Sequence, residues 1–563
     1  VSGRHPTLLP KLALLGAAAL FATLVFKHLS YPLLWNDEAY TAVFGERVLE
    51  HGYPVVPGEP SLLYGVKPDR VDPETGAYFG GLWGTWYVAA LGVALAEGSD
   101  DLYRRTARVR LPFALIGCAG VGVLALGLLP SLGGGRRRRW LFGALFALAS
   151  AYSVSLILHL REANYYGPVV FLVACLVVLF VRRQFQHRLG FAGYCVGVWL
   201  GSVALFNVFH PAFLAVAIAM AAHHAGRALG SPGPPRTRLH ELLREALPLG
   251  LAAATVLPLA LGFDLWGLLV ERVQDLSGSA RSHAQNLAFV VSNLLRYEFA
   301  APALVARLGV LAASRHGSTP LPPSLLRQRT AIAGFLWILV GVYVLIVTRS
   351  PLVWERYFVA LSPLLTSALL LDAISLAEIA RGGGAALPAQ RRRARAGVGL
   401  VGVCVLATAA LRVPEFLGRL DELRTPYRGP LDFVIPYLKE RYPDPSRLVI
   451  ATNYEGPAYT FYLHSRVIVG SYGGNLPEDL DLEPDVIVPR PWPHHLPELG
   501  EMARRGEYVW VDFPVASQRT NNVPSLWPGS PGAVRHEFRT LPAATPEGAT
   551  FLLERAVPRA PPR

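Results

Sequence analysis

Two adjacent acids, Asp37 and Glu38, stand in the run Leu34-Trp35-Asn36-Asp37-Glu38-Ala39-Tyr40, just past the first apolar segment. Acids at the end of a membrane span are costly to place and mark functional positions by default. A carboxylate there is suited to general-base work, taking the proton of an attacking hydroxyl. Cations and one more acid follow at similar places between apolar segments: Lys67 in Gly65-Val66-Lys67-Pro68, Arg110 in Arg110-Leu111-Pro112-Phe113, Arg161 and Glu162 in His159-Leu160-Arg161-Glu162-Ala163-Asn164-Tyr165-Tyr166, Arg349 in Thr348-Arg349-Ser350-Pro351, and Arg356 in Trp354-Glu355-Arg356-Tyr357-Phe358. Carboxylates beside several cations at a lipid–water boundary suit one reaction class, attack of an acceptor hydroxyl on a sugar carried by a lipid phosphate. Guanidinium forks match phosphate oxygens two at a time. Fixed cations also stabilise the charge that builds as the phosphate leaves. This reading gives Asp37, Glu38 and Glu162 the acid–base roles and Lys67, Arg110, Arg161, Arg349 and Arg356 the phosphate. His210, in Asn207-Val208-Phe209-His210-Pro211, and Tyr165 are further pocket candidates.

Each residue also has a plainer role. Asp37 and Glu38 suit the first turn of the helix that follows them. Arg161 and Glu162 can pair locally, Arg356 can snorkel from a span end, Lys67 lies in a Pro- and Gly-rich loop, and His210 reads as a polar span-end residue. The convergence of these groups on one face carries the functional reading.

The elements that must position them are membrane helices. Of 563 residues, 52% are hydrophobic, and the mean hydropathy of +0.34 is that of a polytopic membrane protein with some water-exposed mass. The net charge of +13 does not point to nucleic acid. The basic residues fall in short runs between apolar segments: Arg136–Arg139, Arg182-Arg183 with Arg188, Arg236/Arg238/Arg244, Arg315/Arg327/Arg329, and Arg391–Arg393 with Arg395. That is positive-inside patterning. Cys118, Cys175, Cys195 and Cys404 all lie in apolar segments and carry no compartment signal.

Windows of crossing length lie near 8–29, 109–130, 140–160, 164–181, 189–208, 211–226, 246–263, 300–314, 330–348, 356–378 and 397–412. Within the first, the short segment Leu12 to Phe26 with Lys11 before it has some signal-peptide character, but the many later spans favour an anchor. If 82–96 also crossed, every later basic run would be inverted. It is therefore expected to be a juxtamembrane helix, which leaves eleven spans, a cytoplasmic N-terminus and outer loops at 30–108, 161–167 and 349–356. The stretch 264–299, with Arg281, His283, Gln285, Asn286 and Asn293, reads as a long polar outer loop and a candidate cover.

The expected organisation is a transmembrane catalytic domain over 1–424 and an extracytoplasmic α/β domain over 425–563. Strand-like runs at 447–451, 466–470, 485–488, 508–512 and 550–553 alternate with helix-like runs at 431–441, 456–463 and 496–505. Asp479-Leu480-Asp481 spells a metal–diphosphate tripeptide of soluble nucleotide-sugar transferases but sits in an acidic loop. Gly470-Ser471-Tyr472-Gly473-Gly474 lacks a dinucleotide fingerprint and reads as a turn. No internal repeat is apparent, which disfavours an inverted-repeat transporter. A lipid-linked-sugar flippase and a non-catalytic membrane scaffold are the alternative readings. A flippase would place its charges mid-span rather than at span ends.

These residues resemble the GT-C superfamily of glycosyltransferases that use polyprenyl-phosphate sugars, in particular the protein mannosyltransferase and lipid A aminoarabinose transferase types. The likeness lies in the first-loop acidic motif Trp35-Asn36-Asp37-Glu38-Ala39, in Arg110-Leu111-Pro112, in Leu160-Arg161-Glu162-Ala163-Asn164-Tyr165-Tyr166, and in Arg356-Tyr357 with Pro363. It covers roughly residues 8–380. It implies Asp37 as catalytic base, with Arg356 and Lys67 on the donor phosphate. It implies an integral protein of the inner or plasma membrane whose partners are a polyprenyl-phosphate-linked sugar, membrane lipids and a glycan, lipid or protein acceptor. The related oligosaccharyltransferases hold a divalent metal on loop acids, and Asp37 with Glu162 are the residues of this chain that match, for Mg²⁺ or Mn²⁺.

Overall fold

The computed structural model describes residues 8–56, 70–230, 234–275, 281–314, 323–382, 388–471, 476–492, 494–517, 521 and 539–556. Long apolar helices dominate the first three quarters of the chain: α1 (Leu8–Phe26), α2 (Asn36–His51), α3 (Gly84–Ala96), α4 (Leu102–Leu128), α5 (Arg136–Tyr152), α6 (Val154–Leu160), α7 (Tyr166–Gln184), α8 (Phe191–Val208), α9 (His210–Gly230), α10 (Pro235–Gly262), α11 (Leu265–Asp275), α12 (His283–Tyr297), α13 (Ala300–Ser314), α14 (Pro323–Val347), α15 (Leu361–Arg381), α16 (Pro388–Leu411) and the short α17 (Val413–Glu422). Among the described residues nine helices are long and apolar enough to cross a membrane, or up to eleven if two bent pairs each count as one span. Leucines on α1, α8 and α16 stand exposed (Leu12, Leu15, Leu200, Leu400, Leu406). An apolar stripe facing outward is what a bilayer requires of a span.

The two bent pairs revise the expected spans. The window 140–160 is broken between α5 and α6 by a 78° bend, and 300–314 is the second half of a pair, α12–α13, bent by 85°. At the first break Ser153 accepts from the backbone of Leu156 as an N-cap and donates to the buried Glu298, which lies at the second break. The stretch expected as a polar loop over 264–299 is largely helical, formed by α11 and α12. Ser282 opens α12 with a capping box, in which its hydroxyl accepts from Gln285 N and its own N–H donates to the Gln285 side chain. Arg281 N donates to Pro351 O, and Asn286 Nδ2 to Ser350 O, fastening α12 to the turn after α14.

The basic runs gather at one end of the bundle. Arg183 and Gln184 both bind Glu245, at 2.6 Å each. Arg227 donates to Gln184, Gln186 to Ser131, and Gln328 to the Phe185 carbonyl. Arg138 and Arg329 share Glu378. These residues close α4, α7 and α9 and open α14. Arg110, Tyr166 and Thr348, from the opposite ends of α4, α7 and α14, therefore lie at the other end of the bundle.

Helices α2 and α3 form a small apolar layer at that other end. Gly45 on α2 meets α3 so closely that a Cβ there would stand 2.8 Å from Ala89 Cβ. α2 stops at Gly52, whose φ of 82° supplies the left-handed C-terminal residue that glycine adopts without strain. α3, at 13 residues, is the short apolar helix expected at 82–96.

The C-terminal part carries α18 (Leu431–Arg441), β1 (Val449–Thr452), α19 (Gly456–Leu463), β2 (Arg466–Val469), α20 (Leu476–Leu480), β3 (Val486–Val488), α21 (Leu496–Arg505), β4 (Tyr508–Ala516) and β5 (Ala549–Arg555). The sheet runs β2-β1-β3-β5-β4. β1 pairs parallel with β2 and β3, while β5 is antiparallel to β3 and β4. The turn expected at 470–474 lies mostly outside the described residues; Gly470 itself has a φ of 62°. This α/β unit shares one hydrophobic core with the first-loop layer: Leu33, Phe44, Tyr78 and Trp86 belong to the same buried cluster as Ile435, Tyr459, Phe461 and Val467. The Tyr462 hydroxyl accepts from Leu34 N at 3.0 Å, and Asp432 Oδ1 accepts from Leu33 N at 3.0 Å. The small domain therefore packs on the end of the bundle that carries Asp37.

Candidate active site

The chain bends into the first turn of α2 directly after the buried residues Leu33, Leu34 and Trp35. Residues one apart on a helix point about 100° apart, so the adjacent acids meet different surroundings. Glu38 faces inward and is fully buried. Arg110 grips it with two parallel bonds, Nε to Oε1 at 2.7 Å and Nη2 to Oε2 at 2.6 Å, and Ala163 N donates to Oε1 at 2.7 Å. Burial pushes the Glu38 carboxyl upward, and the Arg110 guanidinium opposes that shift. The remaining Arg110 donors reach Leu29 O and Pro32 O.

Asp37 faces outward, with its side chain 35% exposed, and its Oδ2 lies 3.3 Å from Arg356 Nη2. Arg356 comes from a short 3-10 turn (Glu355–Phe358) before α15. Its guanidinium carbon lies over two indole rings, 5.0 Å from the Trp35 centroid and 4.9 Å from that of Trp354. Burial works against the Arg356 charge, and the Asp37 carboxylate beside it favours that charge. Tyr165 stacks on Phe209 at 4.6 Å, next to His210 at the start of α9. Three buried donors beside this ion pair lack a hydrogen-bond partner among the described residues: Trp35 Nε1, Arg356 Nε and the Tyr165 hydroxyl. Buried donors are nearly always satisfied, and this cluster of donors around a guanidinium has the chemistry to receive an anionic acceptor.

The other expected site residues lie elsewhere. Arg161 is buried, with Nη1 3.2 Å from both Glu422 oxygens and Nη2 donating to His28 O at 2.6 Å. Arg419 also pairs with Glu422. Arg110 and Arg161 are thus engaged inside the protein. The expectation that they grasp donor phosphate meets a geometric obstacle, since each would have to release a buried carboxylate first. Glu162 is buried too, with Oε1 2.9 Å from His159 Nδ1, and His159 Nε2 lies 3.5 Å from Glu355 Oε1. Arg349 is exposed just after α14 and makes no side-chain bond among the described residues. Lys67 lies outside the described residues. His210 is half-buried. Asp479, from the acidic tripeptide, is buried and accepts from Val469 N, which makes it a brace of β2.

Among the described residues Asp37 and Glu162 do not come together as a pair of metal ligands. A divalent ion needs several oxygen ligands, yet Asp37 faces Arg356, Glu162 faces His159, and among the described residues no group of three His, Cys, Asp or Glu is arranged to hold one. The sequence reading missed His159, Glu355 and the Trp35–Trp354 pair. A buried His flanked by acids at 162 and 355 leaves no local pattern, whereas two tryptophans bracketing an Asp and an Arg are visible in the motifs themselves. A separate cavity of about 700 Å³, lined by His223, Arg307, Arg327 and Phe335 among others, lies at the basic end of the bundle, away from Asp37.

No protein-family model matches this sequence, and no curated protein does. Solved structures do. ArnT from Cupriavidus metallidurans, bound to undecaprenyl phosphate, superposes with a TM-score of 0.51 at 13% identity over 98% of this chain and 99% of that one. The same protein in the apo state gives 0.50 at 14% identity over 92% and 98%. The Archaeoglobus fulgidus oligosaccharyltransferase in complex with Zn and sulfate gives 0.45 at 12% identity, covering 94% of this chain and 73% of that one. The likeness to ArnT runs the length of both chains and establishes the fold: this is a polytopic helical membrane protein with the ArnT fold, a bundle of long apolar helices and a small C-terminal α/β unit.

Proposed function

We propose that the protein is an integral-membrane glycosyltransferase that moves a sugar from a polyprenyl phosphate to an acceptor hydroxyl, with inversion, on the extracytoplasmic side. The observation that carries the reading is the contact between Asp37 and Arg356 among three unpartnered donors. Asp37 is partly exposed and placed to accept the hydroxyl proton. Arg356, in contact with the Trp35 and Trp354 rings, presents its fork to the departing phosphate, with Trp35 Nε1 and the Tyr165 hydroxyl as further donors. A single in-line displacement needs no covalent intermediate, hence inversion, by analogy with the hydrolases.

In this reading Glu38, Arg110, Arg161 and Glu162 fix the loops that carry the reacting groups. Lys67 and Arg349 remain candidates for the phosphate, and His210 for the sugar pocket beside Tyr165. The binding of undecaprenyl phosphate by the ArnT structure of like fold supports a polyprenyl phosphate as donor carrier. The basic end of the bundle supports a cytoplasmic placement there, and with it an outer-side position for Asp37 and the 425–563 domain. No step is assigned to a metal.

The test is a transfer assay with purified protein and a panel of polyprenyl-phosphate sugars, with and without EDTA, beside Asp37→Asn. Release of polyprenyl phosphate from one donor, lost in the variant, supports the reading. No release from any donor by well-folded protein would point to a flippase or scaffold instead.

A further inference from the structure

His159 lies at the end of α6 with no exposed surface. Each ring nitrogen faces a buried carboxylate: Nδ1 is 2.9 Å from Glu162 Oε1, and Nε2 is 3.5 Å from Glu355 Oε1. Both Glu355 oxygens and Glu162 Oε2 have no other partner among the described residues. A neutral imidazole has one N–H and would turn a lone pair toward one of these carboxylates, whereas an imidazolium donates to Glu162 and turns its second N–H toward Glu355, an ion-pair contact at 3.5 Å that is not yet a formed hydrogen bond. The surrounding groups are Tyr166 from α7, with ring centroids 5.0 Å apart, Glu298 from the α12–α13 break, and Arg356, adjacent to Glu355. The Glu38–Arg110 pair lies beyond Glu162. Glu355 immediately precedes Arg356 in the 3-10 turn, and Glu162 precedes the Ala163–Tyr165 stretch that touches Glu38 and carries Tyr165.

We infer that His159 is a positioning residue for the proposed phosphate site: as a cation between Glu162 and Glu355, it clamps the turn bearing Arg356 onto the turn bearing Tyr165 and keeps the Glu355 charge off the arriving phosphate. This rests on the phosphate role proposed for Arg356. Without the imidazolium, Glu355 is a buried carboxylate whose remaining counter-charge is Arg356, one residue away. It then competes with the lipid phosphate for that guanidinium and repels the phosphate directly. Removing the second charge as well should undo the harm, which loss of packing alone would not permit.

The experiment measures binding of undecaprenyl phosphate to the full chain in detergent, with fold checked by thermal midpoint, for wild type, Arg356→Ala, His159→Gln, Glu355→Gln and the His159→Gln/Glu355→Gln double variant. His159→Gln is expected to bind about tenfold more weakly and the double variant within about threefold of wild type, a coupling of ordinary size for residues in contact. In transfer assays the loss should appear in the donor KM more than in kcat. Wild-type binding by His159→Gln, or a double variant no better than His159→Gln, would overturn the inference. Should His159→Gln fail to fold, the comparison passes to Glu355→Gln against the double variant. The two should then bind within about threefold of each other, and loss of binding or folding in the double variant overturns the inference. Arg356→Ala reads separately: wild-type binding there sinks the phosphate assignment itself, whatever His159→Gln does.

Discussion

Arg110 holds Glu38 through two parallel bonds of 2.7 and 2.6 Å, with both residues buried, one position along the chain from the partly exposed Asp37. Breaking such a pair from one side leaves a charge without compensation, at a cost of about 3–5 kcal/mol. Glu38→Ala and Arg110→Ala are each expected to lower the thermal midpoint sharply. A Glu38→Met/Arg110→Met double variant should lose less than the two single losses added together. Additive losses in a thermal-shift series would show that the pair does not act as a unit.

Asp37→Asn should behave in the opposite way. Its carboxylate makes one ion-pair contact, at 3.3 Å and partly open to solvent, so the thermal midpoint should stay near wild type. Removal of a general base commonly costs about 10²–10⁴-fold in rate, and turnover should fall by that order. Undiminished transfer by the Asn variant would move the base to another residue.

The contrast between these neighbours marks how far the sequence could be read. Asp37 and Arg356 stand out because charges at span ends are scarce. Which of two adjacent acids faces inward depends on where α2 starts and on which span lies behind it, and neither is local information. The five strands and the helices at 431–441, 456–463 and 496–505 were legible from alternation and punctuation. The bends at Ser153 and Glu298 were not, because apolar periodicity runs through a break unchanged while a buried Ser–Glu hydrogen bond holds it. Nor was the shared core between α2 and α19 legible, since its contacts, such as Leu34 N to Tyr462, join residues 428 positions apart.

For Arg356 the planar fork and its contact with two indole rings matter as much as the charge. Arg356→Lys keeps the charge but loses the paired donors and most of that ring contact. It should weaken lipid-phosphate binding about 10-fold, and Arg356→Ala about 100-fold, in line with charged hydrogen bonds of about 1.5–3 kcal/mol. Equal affinities for Lys and Arg in a binding titration would show that a point charge suffices. Unchanged affinity for Ala would shift attention to Arg349 and Lys67.

The anchoring of the C-terminal domain offers a pH signature. Asp432 Oδ1 accepts from Leu33 N, and Oδ2 accepts from Gly429 N at 2.9 Å and from Asn521 Nδ2 at 3.1 Å. Burial nevertheless raises its carboxyl to about 6 from an ordinary 3.8, against those hydrogen bonds and the Arg110 charge. A folded-state value above the unfolded one means that the folded protein binds the proton more tightly. The stability this group contributes is then full below the unfolded value and is lost as pH rises toward the folded one. Docking of the domain should therefore weaken between about pH 4 and 6 and change no further above that on account of Asp432. Limited proteolysis or a thermal midpoint for the domain, measured across that range, should show a slope in wild type that is absent in Asp432→Asn. The variant, which cannot take up the proton and presents an amide to three donors, should be destabilised at every pH. A wild-type slope of opposite sign, with stability gained from pH 4 to 6 and lost again in the variant, would mean that the three donors and Arg110 outweigh burial and keep Asp432 ionised.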